Sequence, residues 1–256
     1  MSASTLSLMA PATLPEVPVG CDLAGLVIDA CIASAWTITD GDCFVFAQKI
    51  VSKAEGRYVC LDEVKPGPKA IELAIATAKD ARLVELILAE SRRVVRALPG
   101  LLITEHRLGH ILANAGIDQS NVPDDNGRER ALLLPQDPDQ SASGIARDLL
   151  TRTGCRVGVL INDSFGRPWR QGVCGTAIGV YGLPALVDKR GTVDREGRIM
   201  QATLIAVADE VAAAASILMG QADEGRPLVC IRGLHTDWTQ AGMQTIHRPA
   251  QTDLFR

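Results

Sequence analysis

The stretch Val157-Gly158-Val159-Leu160-Ile161-Asn162-Asp163-Ser164-Phe165-Gly166-Arg167-Pro168-Trp169-Arg170 carries the clearest fold signal in the chain. Val157 to Ile161 is apolar, rich in β-formers and preceded by Gly154, the pattern of a buried strand. A carboxylate and a hydroxyl, Asp163 and Ser164, come just past the end of that strand, and Arg167 and Arg170 flank Trp169 beyond them. Ligand sites commonly form in loops held by such rigid scaffolds. The residues alone allow two accounts: a strand-ending turn with a solvated basic edge, or a site for phosphate chemistry.

Outward from this strand, Cys43 to Ala47, Val59 to Leu61, Leu101 to Thr104, His110 to Ala113, Cys174 to Val180 and Leu228 to Ile231 have the short apolar character of further strands. Asp22 can cap a helix through Leu23, Leu26, Val27, Ala30 and Cys31. Helical spacing recurs over Ala70 to Ala78 and over Arg82 to Leu98, where Pro99 and Gly100 stop it. Asp137-Pro138-Asp139 begins another helix, and Thr203 to Met219 is an Ala-rich one closed by Gly220. Pro123 to Arg130 is a polar loop. Strands and helices mix without strict βαβ alternation. That order predicts an α+β fold of mixed, largely antiparallel sheets with packed helices. We expect one catalytic unit over 1–256, with intimate lobes at roughly 1–140 and 141–234 and a peripheral tail over 235–256.

Composition narrows the function classes. The 256 residues are 47% hydrophobic and 22% charged, ordinary for a globular enzyme, and the net charge of -4 gives no global field for nucleic acid. Seven cysteines, with no C-x-x-C pair, argue against zinc or a disulfide framework and for reduced thiols in a reducing compartment. Met1 to Gly20 lacks the basic and apolar regions of a signal peptide, and no apolar run is long enough to span a membrane. The expectation is a cytoplasmic protein without membrane or nucleic-acid partners.

Two more stretches hold candidate chemistry. Asn114-Ala-Gly-Ile-Asp118-Gln-Ser-Asn121 puts two Asn, an Asp and a Ser in a Gly-containing turn, which turn chemistry alone explains well. Ala47-Gln48-Lys49-Ile-Val-Ser52-Lys53-Ala-Glu55-Gly56-Arg57 reads as a charged loop between two strands and contains no Walker A pattern. Mg²⁺ and Mn²⁺ are hard cations held by one or two carboxylates plus phosphate oxygens. Asp118 and Asp163 could supply those carboxylates and Ser164 a hydroxyl, while arginines could fork onto phosphates or a substrate carboxylate.

Taken together and in order, these three stretches, followed by Ala177-Ile-Gly-Val180, Val207-Ala-Asp-Glu210 and Leu218-Met-Gly220, resemble the coenzyme F420-0:γ-glutamyl ligase family over roughly residues 14–234. The resemblance implies GTP-dependent addition of L-glutamate to the deazaflavin precursor F420-0, usually of two residues, the second γ-linked. It implies Mn²⁺ or Mg²⁺ with K⁺ assisting, and an intertwined homodimer. Carried onto this sequence, it makes Asp118 and Asp163 metal-binding carboxylates and puts Ser164 where the family more often has a Thr. It makes Leu14, Pro15, Glu16, Val17, Gln48, Lys53 and Asn121 nucleotide contacts, as is the loop around Met219, Gly220 and Gln221 within Ile217 to Glu224. Asp194-Arg-Glu-Gly197 departs from the family's Asp-Leu-Tyr-Gly, which puts contacts made there in doubt.

The expected chemistry is transfer of the γ-phosphoryl group to the substrate carboxylate, then attack of the glutamate amine on the acyl phosphate. Asp118, Asp163 and Arg167 would be the catalytic set, with Arg167 or Arg170 clamping an anionic substrate. The rival enzyme is a metal-dependent nucleotide phosphohydrolase, in which water replaces the amine. The non-enzymatic rival is a nucleotide-binding regulator.

Overall fold

A computed structural model describes residues 4–12, 14–120, 122 and 127–253 of the chain. Its centre is a five-stranded sheet in the order β1 (Ser7–Met9), β12 (Leu228–Arg232), β2 (Cys43–Ala47), β8 (Gly158–Arg167), β9 (Arg170–Tyr181). β2 and β8 are parallel, and the other neighbours are antiparallel. Three small antiparallel sheets accompany it: β3 (Tyr58–Cys60) with β7 (Arg130–Leu132); β4 (Ser91–Leu98) with β5 (Leu101–His106) and β6 (Ile111–Ala113); and β10 (Val187–Asp188) with β11 (Leu204–Ile205). The fold is thus the expected α+β mixture.

Side-chain alternation along the central strands decides what packs where. Phe44, Phe46, Val159 and Ile161 face α1 (Leu23–Ala33) and α5 (Pro138–Thr153), meeting Val27, Cys31, Ile145 and Leu149. Val45, Leu160, Val229 and Ile231 face the other way, onto Val211, Ala212 and Ala215 of α6 (Val207–Met219). Burying each such large side chain contributes about 1.5–3 kcal/mol, so the two-sided sheet is the stable body of the molecule. Two glycines let the helices lie close. A Cβ on Gly179 would stand 2.5 Å from Pro138 Cβ at the start of α5. One on Gly175 would overlap Ser216 and the Ala212 backbone of α6. A third core, built from Leu73, Val84, Ile87, Leu102, Ala131 and Leu133, unites the β3–β7 and β4–β5–β6 sheets with α3 (Pro68–Thr77) and α4 (Ala81–Ala89).

Local signals explain most boundaries. Asp22 accepts from the Gly25 N–H at 3.0 Å and Asp137 from the Gln140 N–H at 3.0 Å, capping α1 and α5. Pro138 opens α5 and Gly154, at φ 73°, closes it. Three expectations need correction. The helix expected over Arg82 to Leu98 ends at Ala89, and Ser91–Leu98 is strand β4. Pro99 and Gly100 do not stop a helix but form the two-residue turn of the β4–β5 hairpin, where Gly100 takes φ 79° and Leu98 pairs with Leu101. Pairing with β5 overrides the helical spacing. The charged loop expected after Ala47 is instead helix α2 (Gln48–Ala54). The helix expected from Thr203 starts at Val207, because Leu204 and Ile205 pair with β10.

The tail after Gly233, expected to be peripheral, is docked as far as it is described. Met243 is buried and its N–H donates to Asp139 at 2.9 Å, while His247 lies 3.2 Å from His110. Among the described residues, no helix is long and apolar enough to cross a membrane, and all seven cysteines are free.

Candidate active site

Asp163 and Ser164 lie within a strand rather than past its end: β8 runs on to Arg167, paired with β9 through Asp163↔Thr176 and Ser164↔Gly175. The strand persists after its apolar run because β9 continues to satisfy its backbone. A two-residue turn, Pro168-Trp169, closes the hairpin, with Trp169 at φ 65°.

The carboxyl end of β2 comes level with the middle of β8, since Ala47 pairs with Asn162. Gln48 therefore leaves β2 beside Asp163. Asp118 arrives from the opposite side. It follows Asn114 and Ala115, both left-handed at φ 53° and 52°, and Gly116 at φ 68°. Such consecutive left-handed positions are rare outside functional sites. An antiparallel bridge to Leu132 then fixes its backbone, with hydrogen bonds of 2.9 and 2.8 Å.

Every oxygen of Asp118 has a protein donor. Ser120 Oγ donates to Oδ1 at 3.1 Å, and Gln48 Nε2 to Oδ2 at 3.4 Å. Lys49 Nζ stands 3.3 Å from Oδ2 and also donates to Ser120 Oγ at 3.0 Å. Gln48 is itself held by the buried Ser52 hydroxyl at 3.0 Å. Asp163 accepts the Ser164 N–H at 2.7 Å. Burial pushes its carboxyl up to about 6; the Asp118 charge adds to the rise, and the Ser164 N–H and Lys49 oppose it.

Two clefts meet at Asp163, and the second also reaches Asp118. One is lined by Gln48, Lys49, Asn162, Asp163, Ser164 and the Met219 to Pro227 loop. Ser164 Oγ donates there to Gln221 Oε1 at 2.7 Å. Asn162 is buried and donates to Ser216 at 3.1 Å, while its Oδ1 has no partner among the described residues. The second cleft, about 860 Å³, has an apolar wall that includes Leu101, Ile103, Ile111 and Phe165, with Arg167 and Arg170 at its rim and Asp118 and Asp163 on its floor. It is large enough for a drug-sized ring system.

Of the residues singled out in the sequence, Gln48, Asp118, Asp163, Ser164, Arg167, Met219, Gly220 and Gln221 thus gather around one junction. Lys53 does not line either cleft. It pairs with Glu16 at 3.5 Å, and Leu14 and Val17 beside it pack into the main core; Pro15 is exposed. Asn121 lies outside the described residues, as does the first half of the Pro123 to Arg130 loop. Arg57, the cation ending the third stretch, is taken up by Glu90 at 3.2 Å and the Leu134 carbonyl at 2.9 Å. Sequence reasoning did not single out Lys49, Ser120 or Asn162. All three sit inside the quoted stretches, but only their partners distinguish them.

The donor set fits a hard divalent cation. Two carboxylates with one charge felt by the other offer oxygen ligands, with room left for water and phosphate. Among the described residues there is no group of three or more His, Cys, Asp or Glu that could hold a metal.

The profile of the F420-0:Gamma-glutamyl ligase family matches residues 12–233. The chain is 45% identical to the coenzyme F420:L-glutamate ligase of Methanothermobacter thermautotrophicus over 98% of its length and 99% of the relative's. It is 42% identical to that of Archaeoglobus fulgidus over 95% and 93% of the two chains, and 42% identical to that of Halobacterium salinarum over 86% and 83%. Likeness on this scale runs through both clefts and the strand between them, and the chain belongs to the F420-0:gamma-glutamyl ligase family.

Proposed function

We propose that this chain is a coenzyme F420:L-glutamate ligase that joins L-glutamate to F420-0 with GTP as phosphoryl donor. The observation that carries the proposal is the convergence of Asp118 and Asp163 where a polar cleft meets a large apolar one. The polar cleft suits the phosphates, and the apolar one suits a flat deazaflavin ring. Asp118, Asp163 and the Ser164 hydroxyl would hold Mn²⁺ or Mg²⁺, which supplies charge neutralisation for the moving phosphoryl group. K⁺, implied by the family likeness, belongs to the same proposal.

The protein's own part is positioning and electrostatics. Arg167 and Arg170 orient the acidic tail of the precursor at the cleft rim. Gln48, braced by Ser52, fixes Asp118. The γ-phosphoryl group passes to the precursor carboxylate and GDP leaves. The glutamate amine then attacks the acyl carbon, the C–N bond forms, and phosphate departs with the former carboxylate oxygen. No histidine lies within the Asp118 or Asp163 stretch to activate water. Exposed Val193, Ile199 and Ile217 support a homodimer, and seven free thiols support a cytoplasmic location.

The test is incubation of purified protein with F420-0, L-glutamate, GTP and Mn²⁺, read by mass spectrometry. A glutamylated product that requires all four components is expected. Rapid GTP hydrolysis without F420-0, and no glutamylated product with it, would favour the phosphohydrolase instead.

A further inference from the structure

Lys49 has no role in the reaction as described above, yet its ammonium contacts Asp118, one member of the carboxylate pair. It stands 3.3 Å from Asp118 Oδ2 and donates to Ser120 Oγ at 3.0 Å and to the Ser120 carbonyl at 3.3 Å. Its charge also reaches Asp163, whose ionised form it favours. Lys49 and Asp118 side chains are 30% and 29% exposed, so this is a half-sheltered pair. A surface ion pair contributes little to stability, and no packing requirement places a lysine there: the apolar side of α2 is Ile50 and Val51, both buried. The same lysine lines the polar cleft with the Met219 to Pro227 loop. A flexible four-carbon stem carrying a compact point charge can change partner without moving the backbone.

We propose that Lys49 is the resident counter-cation of the Asp118–Asp163 pair, occupying Asp118 in the metal-free protein and transferring to a phosphate oxygen of the nucleotide when divalent ions take the carboxylates. The proposal rests on the assignment of that pair as metal ligands. Lys49 then competes with the metal in the free protein and assists the nucleotide in the loaded one. It couples the two binding events: metal alone must displace an ammonium, whereas metal arriving with a triphosphate gives that ammonium a new anion. Such coupling is reciprocal, each ligand raising the other's affinity by the same factor.

The experiment compares wild type with Lys49→Met, Lys49→Arg and Asp118→Asn. Mn²⁺ binding is followed by electron paramagnetic resonance without nucleotide, and then GDP binding by calorimetry at saturating Mn²⁺. Lys49→Met should bind Mn²⁺ alone about tenfold more tightly and GDP about tenfold more weakly, as expected for removal of one close charge. Lys49→Arg should stay near wild type in both. A residue that merely propped up Asp118 would, on removal, weaken both ligands. Unchanged or weaker Mn²⁺ binding by a folded Lys49→Met protein overturns the proposal. Wild-type Mn²⁺ affinity in Asp118→Asn overturns the underlying ligand assignment as well, and so separates the two failures. Neither measurement depends on turnover.

Discussion

Replacing Asp163 by Asn should make the metal-free protein more stable while abolishing its reaction. Asp163 is partly buried on β8 beside a second carboxylate, and its pKa rises from the ordinary 3.8 to about 6. At about 1.4 kcal/mol per pH unit, that difference puts a ceiling of about 3 kcal/mol on the cost of keeping it ionised in the fold. Residual solvent access screens part of this, leaving about 1–2 kcal/mol, or roughly 3–6 °C in Tm for a chain of this size. The amide keeps an acceptor for the Ser164 N–H, so the strand geometry is preserved. The sign follows from which state binds the proton. The folded-state value is the higher one, so the folded protein protonates first as pH falls. The cost is fully present above about 6, shrinks as pH drops towards 3.8, and vanishes below both values. Asp163→Asn should therefore melt higher than wild type at neutral pH in metal-free buffer, and the two should converge in acid. Adding Mn²⁺ should reverse the order, because only wild type gains binding free energy. The assay is differential scanning fluorimetry across pH, with and without Mn²⁺, beside turnover measured by mass spectrometry. A folded variant that melts lower than wild type without metal, or that is stabilised by Mn²⁺ as wild type is, would refute the assignment.

Gly179→Ala puts a Cβ 2.5–2.6 Å from Pro138 atoms, including its backbone carbon and oxygen, so α5 must shift; a loss of about 2–4 kcal/mol is expected by urea denaturation, and one below about 0.5 kcal/mol would contradict the packing. His110 is held neutral, its pKa lowered to about 3 by burial and then by the charges of His247 and His106. Its folded value lies below the ordinary 6.5, so unfolding takes up a proton and stability is lost as pH falls from about 6.5 towards 3. His110→Phe should remove about 2 kcal/mol of that acid destabilisation by about pH 5, measured as the difference in urea midpoints, and an unchanged pH slope would count against it. Oxygen-18 in the carboxylate of F420-0 should appear in the released phosphate, and unlabelled phosphate alongside amide product would exclude an acyl phosphate.

The chemistry was legible where residue type and order carried it. Asp118 and Asp163 stood out because each lay in a long stretch whose composition repeats a known ligase pattern, although nothing local showed that the two would meet. Fold elements were legible where a single signal ruled, as with Asp22 and Asp137 as caps or Cys43–Ala47 as a strand. They were misread where a distant partner decided. Arg82 to Leu98 has helical spacing throughout, and only the β5 partner makes its second half a strand. Ser164 shows the same limit at the site. Its hydroxyl donates to Gln221, after α6, a partner that nothing in its own stretch announces. The importance of Lys49 was invisible for a related reason: a lysine in a charged stretch is ordinary, and only its distance to Asp118 makes it otherwise.

The site's location follows from the one parallel pairing among the described strands. Parallel neighbours end at the same edge, so Ala47 opposite Asn162 brings Gln48 and Asp163 level; an antiparallel neighbour would set a strand's start beside another's end. Only β8 continues past that edge, braced by β9. Successive residues of the extension then point to opposite sides. Asn162 and Ser164 turn towards Ser216 and Gln221, on the side of α6, and Asp163 turns towards Lys49 and Asp118. One strand therefore divides the two clefts and takes part in both, so that under the proposed function phosphoryl donor and acceptor would meet across a rigid element rather than a hinge. The register that sets this is locked by Gly175 and Gly179, whose missing side chains let α6 and α5 clamp β9. A slip of one residue would turn Asp163 towards α6 and Ser164 towards Asp118, and so break up the carboxylate pair. Helix packing on β9 thus specifies which side of the strand holds the charge.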